Sequence, residues 1–482
     1  MADFDFSSLV WRLKQLAVAN LSAKSIIKHP PHIFYGWWIV LVSLLADGLK
    51  HGTFNRGFTV YVIPIQTELG ISTAAIGWAD TLGRLMGGVQ GPLMGYLTDR
   101  LGPRVMLTFG GLASGLGFIL LSFTGNYAFF LLIFVGFLSV GFRSGYNNAS
   151  VAAVNNWFRR KRGLAMSIVS MGNGLGGALA PLVGLLVFTV GWRTSVLISG
   201  IAIIAIVVPL SLLVKRSPES MGLLPDGDLP DPASVQSENG QLRRSVGTSA
   251  AHTIPARHRS SGPARELDFT AKEAMRTPSY WLLVLATALR NTVHSGMSFL
   301  LAPVMVWFLR GAGRGQEESL PIAAAFVGAV AIGTIVFNPF VGWLGDKFPR
   351  KKLSAICMIS GAASLALLLD HSGNLWQLAI FSMMLAFAES ANPLNWAIMG
   401  DFFGRRAFAT LRGWQHLPDQ LLSMWTAVWM GLIYDQTGSF YWALLPLASI
   451  YGLAAVGYWI IPRPKIPPRL RAREEAGAVN PA

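Results

Sequence analysis

The sequence predicts an all-α membrane protein with twelve transmembrane helices in two pseudo-symmetric six-helix bundles. Hydrophobic residues make up 52% of the 482 residues and charged residues only 13%, whereas charged residues reach about 25% in soluble proteins. The apolar residues fall into about twelve stretches, each long enough to cross a hydrocarbon core about 30 Å thick. Several motifs also recur about 246 residues apart, which indicates an internal duplication.

The clearest repeat is a short charged loop that follows an apolar stretch in each half of the chain. Its acid is Asp99 in the first copy and Asp346 in the second, 247 residues apart. Because the loops of both copies are basic, the two halves cross the membrane in the same direction, as in a parallel duplication with its axis along the membrane normal. The repeated residues are Gly95, Leu97, Asp99, Arg100, Gly102 and Arg104, then Gly342, Leu344, Asp346, Lys347 and Arg350.

The apolar stretches give the predicted helices in order. They cover residues 36–65, 73–97, 105–123, 128–154, 164–190, 194–214, 280–309, 322–344, 353–369, 375–398, 408–434 and 440–460. Each contains enough apolar residues for one crossing of a bilayer.

A polar interval rich in Pro, Ser, Gly and Arg separates the sixth stretch from the seventh. Such a segment buries too little apolar surface to fold alone, so it is predicted to be a linker between the two halves. A nucleotide-binding insert is the alternative, but the chain has no G-x-x-x-x-G-K-[ST] motif, so the energy source is expected to be a gradient. The predicted organisation is an N-terminal segment 1–35, a bundle 36–214, a linker 215–278, a bundle 279–461 and a tail 462–482.

The net charge of +15 is concentrated in the loops on one predicted side of the membrane. By the positive-inside rule, that side and both termini are cytoplasmic, in a multi-pass protein of the inner (plasma) membrane. Charge placed in this way does not indicate a nucleic-acid partner. Residues 1–35 lack the pattern of a cleavable signal peptide, so the first helix is expected to act as its own insertion signal. The basic loop residues are Arg100, Arg104, Arg159, Arg160, Lys161, Arg162, Lys215, Arg216, Lys347, Arg350, Lys351 and Lys352.

Enzymatic and cofactor chemistry are not indicated. Cys357 is the one cysteine, so neither an intrachain disulfide nor a cysteine metal cluster is expected, and no cofactor or metal is predicted. The sequence also lacks H-E-x-x-H and G-x-S-x-G motifs, and the chain is therefore not predicted to be an enzyme.

The charged loop at 95–104, GYLTDRLGPR, resembles the signature between the second and third helices of the major facilitator superfamily. The resemblance covers residues 35–461. The segment 157–172 (WFRRKRGLAMSIVSMG) is similar to the fifth-helix signature of monocarboxylate porters. YGWW at 35–38, PESMGLLPDGD at 218–228, residues 402–413 and YDQTG at 434–438 resemble bacterial relatives such as oxalate/formate antiporter-like proteins. The eighth stretch lacks the Asp and Arg expected of animal monocarboxylate porters, so the resemblance does not identify the substrate.

The loop signature predicts contacts that gate the membrane domain. Glycines allow close helix approach, and Asp99 at a helix end can meet the positive N-terminus of another helix in one conformation and release it in another. The alternative is that Asp99, Arg100 and Arg104 only orient the chain by charge. The predicted gating residues are Gly95, Asp99, Arg100, Gly102, Arg104, Gly342, Asp346 and Lys347.

Ionisable residues within the predicted helices are the main candidates for function, because each costs about 2.5 to 3.5 kcal/mol at the bilayer centre. They fall in the first, fourth, seventh and tenth helices, which line the central cavity in the resembled fold. Arg143 and Glu389 are repeat mates, so an opposed pair between the halves is expected. The remaining members of this set are Asp47, Lys50, His51, Arg290 and His294.

Arginine binds a carboxylate through two parallel donors and stays charged, so Arg143 and Arg290 are predicted to bind an anionic substrate. Phe54, Asn291, Asn392 and Trp396 are predicted to shape the pocket. Glu389 or Asp47 is predicted to carry a proton and His51 or His294 to relay it. Static roles remain open: each residue can instead hold helices together, and Lys50 can neutralise Asp47.

Charged residues in three other helix regions are weaker candidates for a functional role. Asp80 and Arg84 are expected to pair with each other, and Arg56 lies toward the outer end of the first helix. Arg412, His416 and Asp419 share one face of the eleventh helix, which in the resembled fold supports the cavity rather than lining it.

The function that these observations favour is secondary transport of a small organic anion, such as a monocarboxylate, by proton symport or by exchange. The carrier is expected to work as a monomer in the bilayer. Two alternatives remain open: export of cationic or amphipathic compounds, in which Asp47 and Glu389 would bind a cation, and a membrane sensor that keeps the fold but does not cycle.

Overall fold

The computed structural model describes residues 34–71, 73–227, 268–467 and 469. These residues are largely helical and form twelve spans, numbered α1 to α12. Most of the predicted N-terminal segment, the middle of the linker (residues 228–267) and most of the C-terminal tail lie outside the described residues.

The twelve spans follow the predicted order. The first six are α1 (Gly36–Lys50, His51–Asn55 and Phe58–Leu69), α2 (Thr73–Leu101), α3 (Pro103–Leu121), α4 (Tyr127–Ile133, Phe134–Tyr146 and Asn147–Trp157), α5 (Arg162–Ser170 and Gly172–Val190) and α6 (Trp192–Leu212). The last six are α7 (Pro278–Arg310), α8 (Gln316–Lys347), α9 (Arg350–Ala366), α10 (Leu375–Glu389 and Asn392–Phe403), α11 (Phe408–Ser423 and Thr426–Thr437) and α12 (Tyr441–Ile460). Short helical turns in the linker region are Pro218–Met221, Pro225–Gly227 and Ala271–Met275.

Six helices of the described chain are long and apolar enough to cross a membrane on length and composition alone. The other spans are interrupted by turns or carry more polar residues, which lowers their hydropathy. The six are Pro103–Leu121, Arg162–Val190, Trp192–Leu212, Pro278–Arg310, Glu317–Lys347 and Tyr441–Ile460.

Local sequence explains where several spans begin. Asn126 caps α4, because its side chain accepts a hydrogen bond from the Phe129 backbone N–H at 2.8 Å. Thr277 caps α7 in the same way, and Pro278 follows at the first helical position. Gly102 separates α2 from α3 with φ of 93°, a conformation that other residues rarely adopt.

Three spans change geometry near their middle. In α1 the residues His51–Asn55 form a π-helical turn, and in α4 the residues Phe134–Tyr146 are π-helical. The helix of α10 stops at Glu389 and restarts at Asn392. π-helical turns and helix breaks redirect side chains and often occur at functional sites. These three interruptions therefore mark candidate functional positions in α1, α4 and α10.

Side chains on the outside of the helices are apolar, as expected for contact with lipid. Phe188 is 89% exposed and Ile332 66% exposed. Patches of this extent are rare on soluble proteins. Buried apolar side chains meanwhile connect the spans inside each half, for example Phe118, Phe130 and Phe142 in the first half.

Candidate functional site

A cavity of about 1200 Å³ lies between the two halves of the chain. Its walls come from α1, α2, α4 and α5 on one side and from α7, α10 and α11 on the other. Among the predicted site residues, Phe54, His51, Arg290, Asn291, His294, Asn392 and Trp396 line it. The described lining also includes Arg56, Asp80, Arg84, Phe58, Phe134, Arg412, Gln415, His416, Asp419 and Gln420.

Positive charge dominates the cavity wall. Four arginines and two aspartates line the cavity in the described part of the chain, and Glu389 neutralises one of these arginines, which leaves a formal excess of one positive charge with histidines neutral. Asp80 is close to Arg84, whose Nε lies 2.8 Å from its Oδ2, so the expected pair is present. A cavity with this balance favours anions over cations.

Glu389 and Arg290 form an ion pair in the wall formed by α7 and α10. The Arg290 Nη2 donates to Glu389 Oε2 at 3.0 Å, and the two side chains are 3% and 12% exposed. His294 Nδ1 lies 2.5 Å from the same carboxylate oxygen, and the Tyr451 hydroxyl donates to the other oxygen at 3.1 Å. These described partners of Glu389 all lie in the second half. The expected pair between Glu389 and Arg143 stays a prediction, because the Arg143 side chain lies outside what the structure describes.

The second terminal nitrogen of Arg290, Nη1, binds the two side-chain amides that the sequence predicted for the pocket. Arg290 Nη1 donates to Asn291 Oδ1 at 2.7 Å and to Asn392 Oδ1 at 2.9 Å. Both amides line the cavity. The helix break after Glu389 brings Asn392 to this position, so the interruption of α10 builds part of the site.

Arg412 and Trp396 form a second cationic element of the cavity. The Arg412 guanidinium lies 4.4 Å from the centre of the Trp396 ring, a cation–π arrangement. Arg412 is 3% exposed. The ring contacts the guanidinium and helps to hold it at the cavity wall.

The first half contributes an aromatic wall. Phe54 stacks on Phe142 with ring centres 4.9 Å apart and an angle of 13°. Phe134 contacts Phe54 at 5.6 Å and Phe58 at 5.0 Å. The π-helical turn of α1 carries Phe54, and the π-helical stretch of α4 carries Phe134 and Phe142. An apolar ligand body has a surface to contact here, opposite the polar second half.

Asp47 lies beside basic residues of its own span. Lys50 Nζ donates to Asp47 Oδ1 at 3.2 Å, and His51 Nε2 lies 3.6 Å from Oδ2. Lys50 is 7% exposed. The neutralisation of Asp47 by Lys50, one of the two interpretations left open by the sequence, is thus present as a contact.

Arg143, predicted as a substrate contact, belongs to the π-helical stretch of α4. Its side chain lies outside what the structure describes.

The eleventh span lines the cavity, so the expectation that it only supports the other helices is wrong. Arg412, His416 and Asp419 face the cavity together with Gln415 and Gln420. Asp419 accepts a hydrogen bond from Asn291 Nδ2 at 2.8 Å. The spacing of the three charged or titratable residues on one helical face was the signal in the sequence for this role.

The cavity is closed on the side that carries the basic loops between α2 and α3, α4 and α5, α8 and α9, and α10 and α11, which we call the basic side. Asp99 of the first half accepts hydrogen bonds from the backbone N–H groups of Ala409 and Thr410 at 3.1 and 2.8 Å. It also accepts one from the Thr410 hydroxyl at 2.6 Å. The predicted contact between Asp99 and the N-terminus of another helix is present.

Asp346 makes the equivalent contact from the second half. Its carboxylate accepts hydrogen bonds from the backbone N–H groups of Gly163 and Leu164 at 2.8 and 3.0 Å. These groups lie at the N-terminus of α5, just as Ala409 and Thr410 lie at that of α11. A backbone N–H group at a helix end favours a carboxylate through its dipole. Each half therefore binds the other with the same motif.

Close helix packing accompanies both carboxylate contacts. A methyl group added at Gly95 would overlap the carbonyl oxygen of Ala409, and one at Gly342 would overlap the Ser167 hydroxyl. Glycine is therefore required at these positions for α2 to reach α11 and for α8 to reach α5. These contacts shut the basic side.

A further ion-pair network accompanies the Asp346 closure. Arg162, 1% exposed as a residue, donates to Asp401 at 2.9 Å. Arg350 contacts the other oxygen of Asp401 and donates to Asp346 at 2.6 Å. Asn155 occupies the repeat position of Asp401. The two closures are thus unequal in charge.

The remaining residues of the loop motif have separate contacts. Arg100 Nη1 donates to the Tyr96 hydroxyl at 3.1 Å, and Arg104 lies in the first turn of α3. Lys347 lies over the Trp343 ring at 3.9 Å. The aspartates and glycines, rather than these cations, make the described contacts between the halves.

The two ends of the linker hold the basic-side loops. Asp226 accepts hydrogen bonds from the backbone N–H groups of Arg159 and Arg160 at 3.0 and 2.7 Å. Asp268 accepts one from the Arg405 N–H at 2.8 Å. Arg159 and Arg405 occupy equivalent positions in the two repeats. The two ends of the linker therefore bind the equivalent loops of both halves through the same kind of hydrogen bond.

The fold and the cavity between two equivalent halves define a membrane transporter architecture, and the chain belongs to the Major Facilitator Superfamily. The model of that family matches residues 52–326 and 287–481. The predicted fold, twelve transmembrane helices in two bundles, is confirmed.

Two similar proteins have transport functions. The oxalate:formate antiporter of Oxalobacter formigenes is 27% identical over 346 residues, which cover 69% of this chain and 68% of the antiporter. Monocarboxylate transporter 13 of Bos taurus is 24% identical over 440 residues, which cover 89% of this chain and 90% of that protein. The predicted resemblance to the monocarboxylate porter and oxalate/formate antiporter group is confirmed.

Solved structures with the same fold are more distant in sequence. The proton:xylose symporter XylE superposes with a TM-score of 0.65 at 16% identity, covering 89% of this chain and 96% of that one. The transporter FucP in its outward conformation gives a TM-score of 0.59 at 14% identity, covering 88% of this chain and 98% of that one. At these identities the likeness concerns the fold alone.

Proposed function

We propose that the protein is a secondary carrier that moves a small organic anion, a monocarboxylate, across the plasma membrane by alternating access. The main observation that supports this proposal is the excess of arginine over aspartate among the residues that line the cavity. The names of the two relatives, an oxalate:formate antiporter and a monocarboxylate transporter, support the same class of substrate.

The substrate carboxylate binds the arginines of the second half, and its carbon skeleton packs on the aromatic wall of the first. Arg290 and Arg412 supply charge, while Asn291 and Asn392 orient the carboxylate by hydrogen bonds. Phe54 contacts the apolar part of the substrate. Arg143 remains a proposed further contact on the grounds of its position in α4.

Transport requires the two halves to rock about the cavity. With the basic side in the cytoplasm, as the positive-inside rule predicts, the present conformation opens outward. Asp99 and Asp346 then hold the cytoplasmic side closed through the N-termini of α11 and α5. Their release opens the cavity to the cytoplasm. The carrier works as a monomer, because the cavity forms between the halves of one chain, and it uses proton symport or exchange.

The test is uptake of radiolabelled carboxylates into proteoliposomes by the purified protein. We expect competition by monocarboxylates and none by organic cations of similar size. Arg143→Gln should abolish uptake while the protein remains folded in the membrane, and so should Arg290→Gln combined with Glu389→Gln, which removes both members of the buried ion pair. Uptake of cations instead of anions would favour the exporter, and ligand binding without flux would favour a sensor.

A further inference from the structure

Asp419 differs from the other acids around the cavity in its hydrogen-bond partner. It lies on α11, eleven residues beyond Phe408, which places it about 16 Å along the helix from the closed basic side. Its side chain lines the cavity and the residue is only 7% exposed. Water in the open cavity can therefore reach this carboxylate while most of its surroundings are protein.

The neighbouring acids are held by cations. Asp47 accepts from Lys50, Asp80 from Arg84 and Glu389 from Arg290. Asp419 instead accepts from the neutral amide of Asn291. Among the described residues, no lysine, arginine or histidine nitrogen lies within the 4.0 Å of an ion pair with it.

Charged and titratable groups face Asp419 from a greater distance. Arg290 and His294 face it from α7, and Arg412 from its own helix. His416, one turn away on α11, lines the same cavity, and Asp47 of α1 interacts electrostatically with Arg412. Protonation of Asp419 therefore neutralises no ion pair, whereas protonation of Glu389 removes the negative charge from its ion pair with Arg290.

We propose that Asp419 is the proton-binding site that couples anion movement to the proton gradient. This inference rests on the proposed function. A proton enters through cavity water and binds the Asp419 carboxylate as the anion binds the arginines. The added proton and the added anion cancel in charge, so the loaded carrier and the empty carrier reorient with the same net charge. On the other side the anion leaves and the proton returns to water.

The amide of Asn291 links the two events. Its Oδ1 accepts from Arg290 while its Nδ2 donates to Asp419. A carboxylate bound at Arg290 competes for the arginine donors that Asn291 now uses. Displacement of the amide removes the donor that stabilises ionised Asp419, which makes anion binding favour proton binding.

The experiment compares two assays of Asp419→Asn in proteoliposomes with a labelled monocarboxylate that the wild type carries. Counterflow exchanges anion for anion and needs no net proton movement, whereas accumulation requires a pH gradient. Across one pH unit, one-to-one coupling gives about tenfold accumulation. We expect Asp419→Asn to lose that accumulation and the pH dependence of uptake, while counterflow slows less than about threefold. Asp419→Glu should restore part of the accumulation.

Asp435 provides a matched control, because it is an exposed acid on the same span. Asp435→Asn should accumulate substrate like the wild type. Wild-type accumulation by Asp419→Asn would overturn the proposal, and so would loss of counterflow together with accumulation, which would make Asp419 a structural or substrate contact. If the wild type exchanges anions but never accumulates them, the proposal of a proton-binding site is wrong, whereas the proposed function as an anion carrier is retained. If the wild type does neither, the proposed function itself fails.

Discussion

Asp99 and Thr410 lie 311 residues apart in the chain, yet the Asp99 carboxylate accepts both the backbone N–H and the hydroxyl of Thr410, at 2.8 and 2.6 Å. The contact joins the end of α2 to the start of α11. Because Asp346 repeats it at the start of α5, the basic side is closed by two equivalent contacts between carboxylates and helix N-termini.

Asp99→Asn should shift the protein toward the conformation open on the basic side. Hydrogen bonds to an ionised carboxylate contribute about 1.5 to 3 kcal/mol, so the population ratio should shift by about 10- to 150-fold. The measurement is the distance between spin labels at Leu101→Cys and Arg406→Cys in a Cys357→Ala background, since Leu101 and Arg406 are exposed on the basic side. We expect a larger fraction of the molecules to show the longer distance between the two labels. An unchanged distribution would show that Asp99 does not hold this closure.

Gly95→Ala should have a similar effect through packing rather than charge. The added methyl group would overlap the Ala409 carbonyl oxygen, and overpacking of this kind costs about 1 to 3 kcal/mol. Gly77→Ala is the matched control on the same helix, because nothing lies within 4 Å of its added Cβ. We expect the spin-label distances to lengthen in the first variant and not in the second. Equal behaviour of both would contradict the packing argument.

Glu389→Gln should destabilise the protein by about 3 to 5 kcal/mol, because it leaves buried Arg290 without its charged partner. The measurement is the thermal midpoint in detergent. Adding Arg290→Gln should recover part of the loss, since the double variant buries no unpaired charge. Additive losses in the double variant would show that the two residues do not act as a pair.

Trp396→Leu should weaken anion transport by removing the ring under Arg412. A cation–π contact contributes about 0.5 to 2 kcal/mol, so the KM should rise by about 2- to 30-fold. Trp396→Phe retains an aromatic face and should show a smaller rise. A KM that is the same in Trp396→Leu as in the wild type would mean that the ring does not position Arg412 for the substrate.

The duplicated motif and the apolar stretches predicted the twelve spans, because helices depend on local patterns. The acid at a helix end predicted that Asp99 contacts another helix N-terminus, but not which helix. The partner of Glu389 was not predictable in this way. The repeat offset pointed to Arg143, and it gave no sign of the contact with Arg290 of α7, because sequence offset does not report side-chain reach between helices. The π-helical turn at His51–Asn55 was also missed, since residues 36–65 form one continuous apolar stretch and an isolated glycine such as Gly52 is tolerated inside a helical pattern.

Alternation of one cavity between two sides can be tested by locking the basic side. In Leu101→Cys/Arg406→Cys with Cys357→Ala, a reducible bifunctional thiol reagent would link the two halves across the basic side. Labelled monocarboxylate counterflow should stop on linking and return on reduction, with binding from the opposite side retained throughout. Counterflow at the unlinked rate in the fully linked protein would contradict the account.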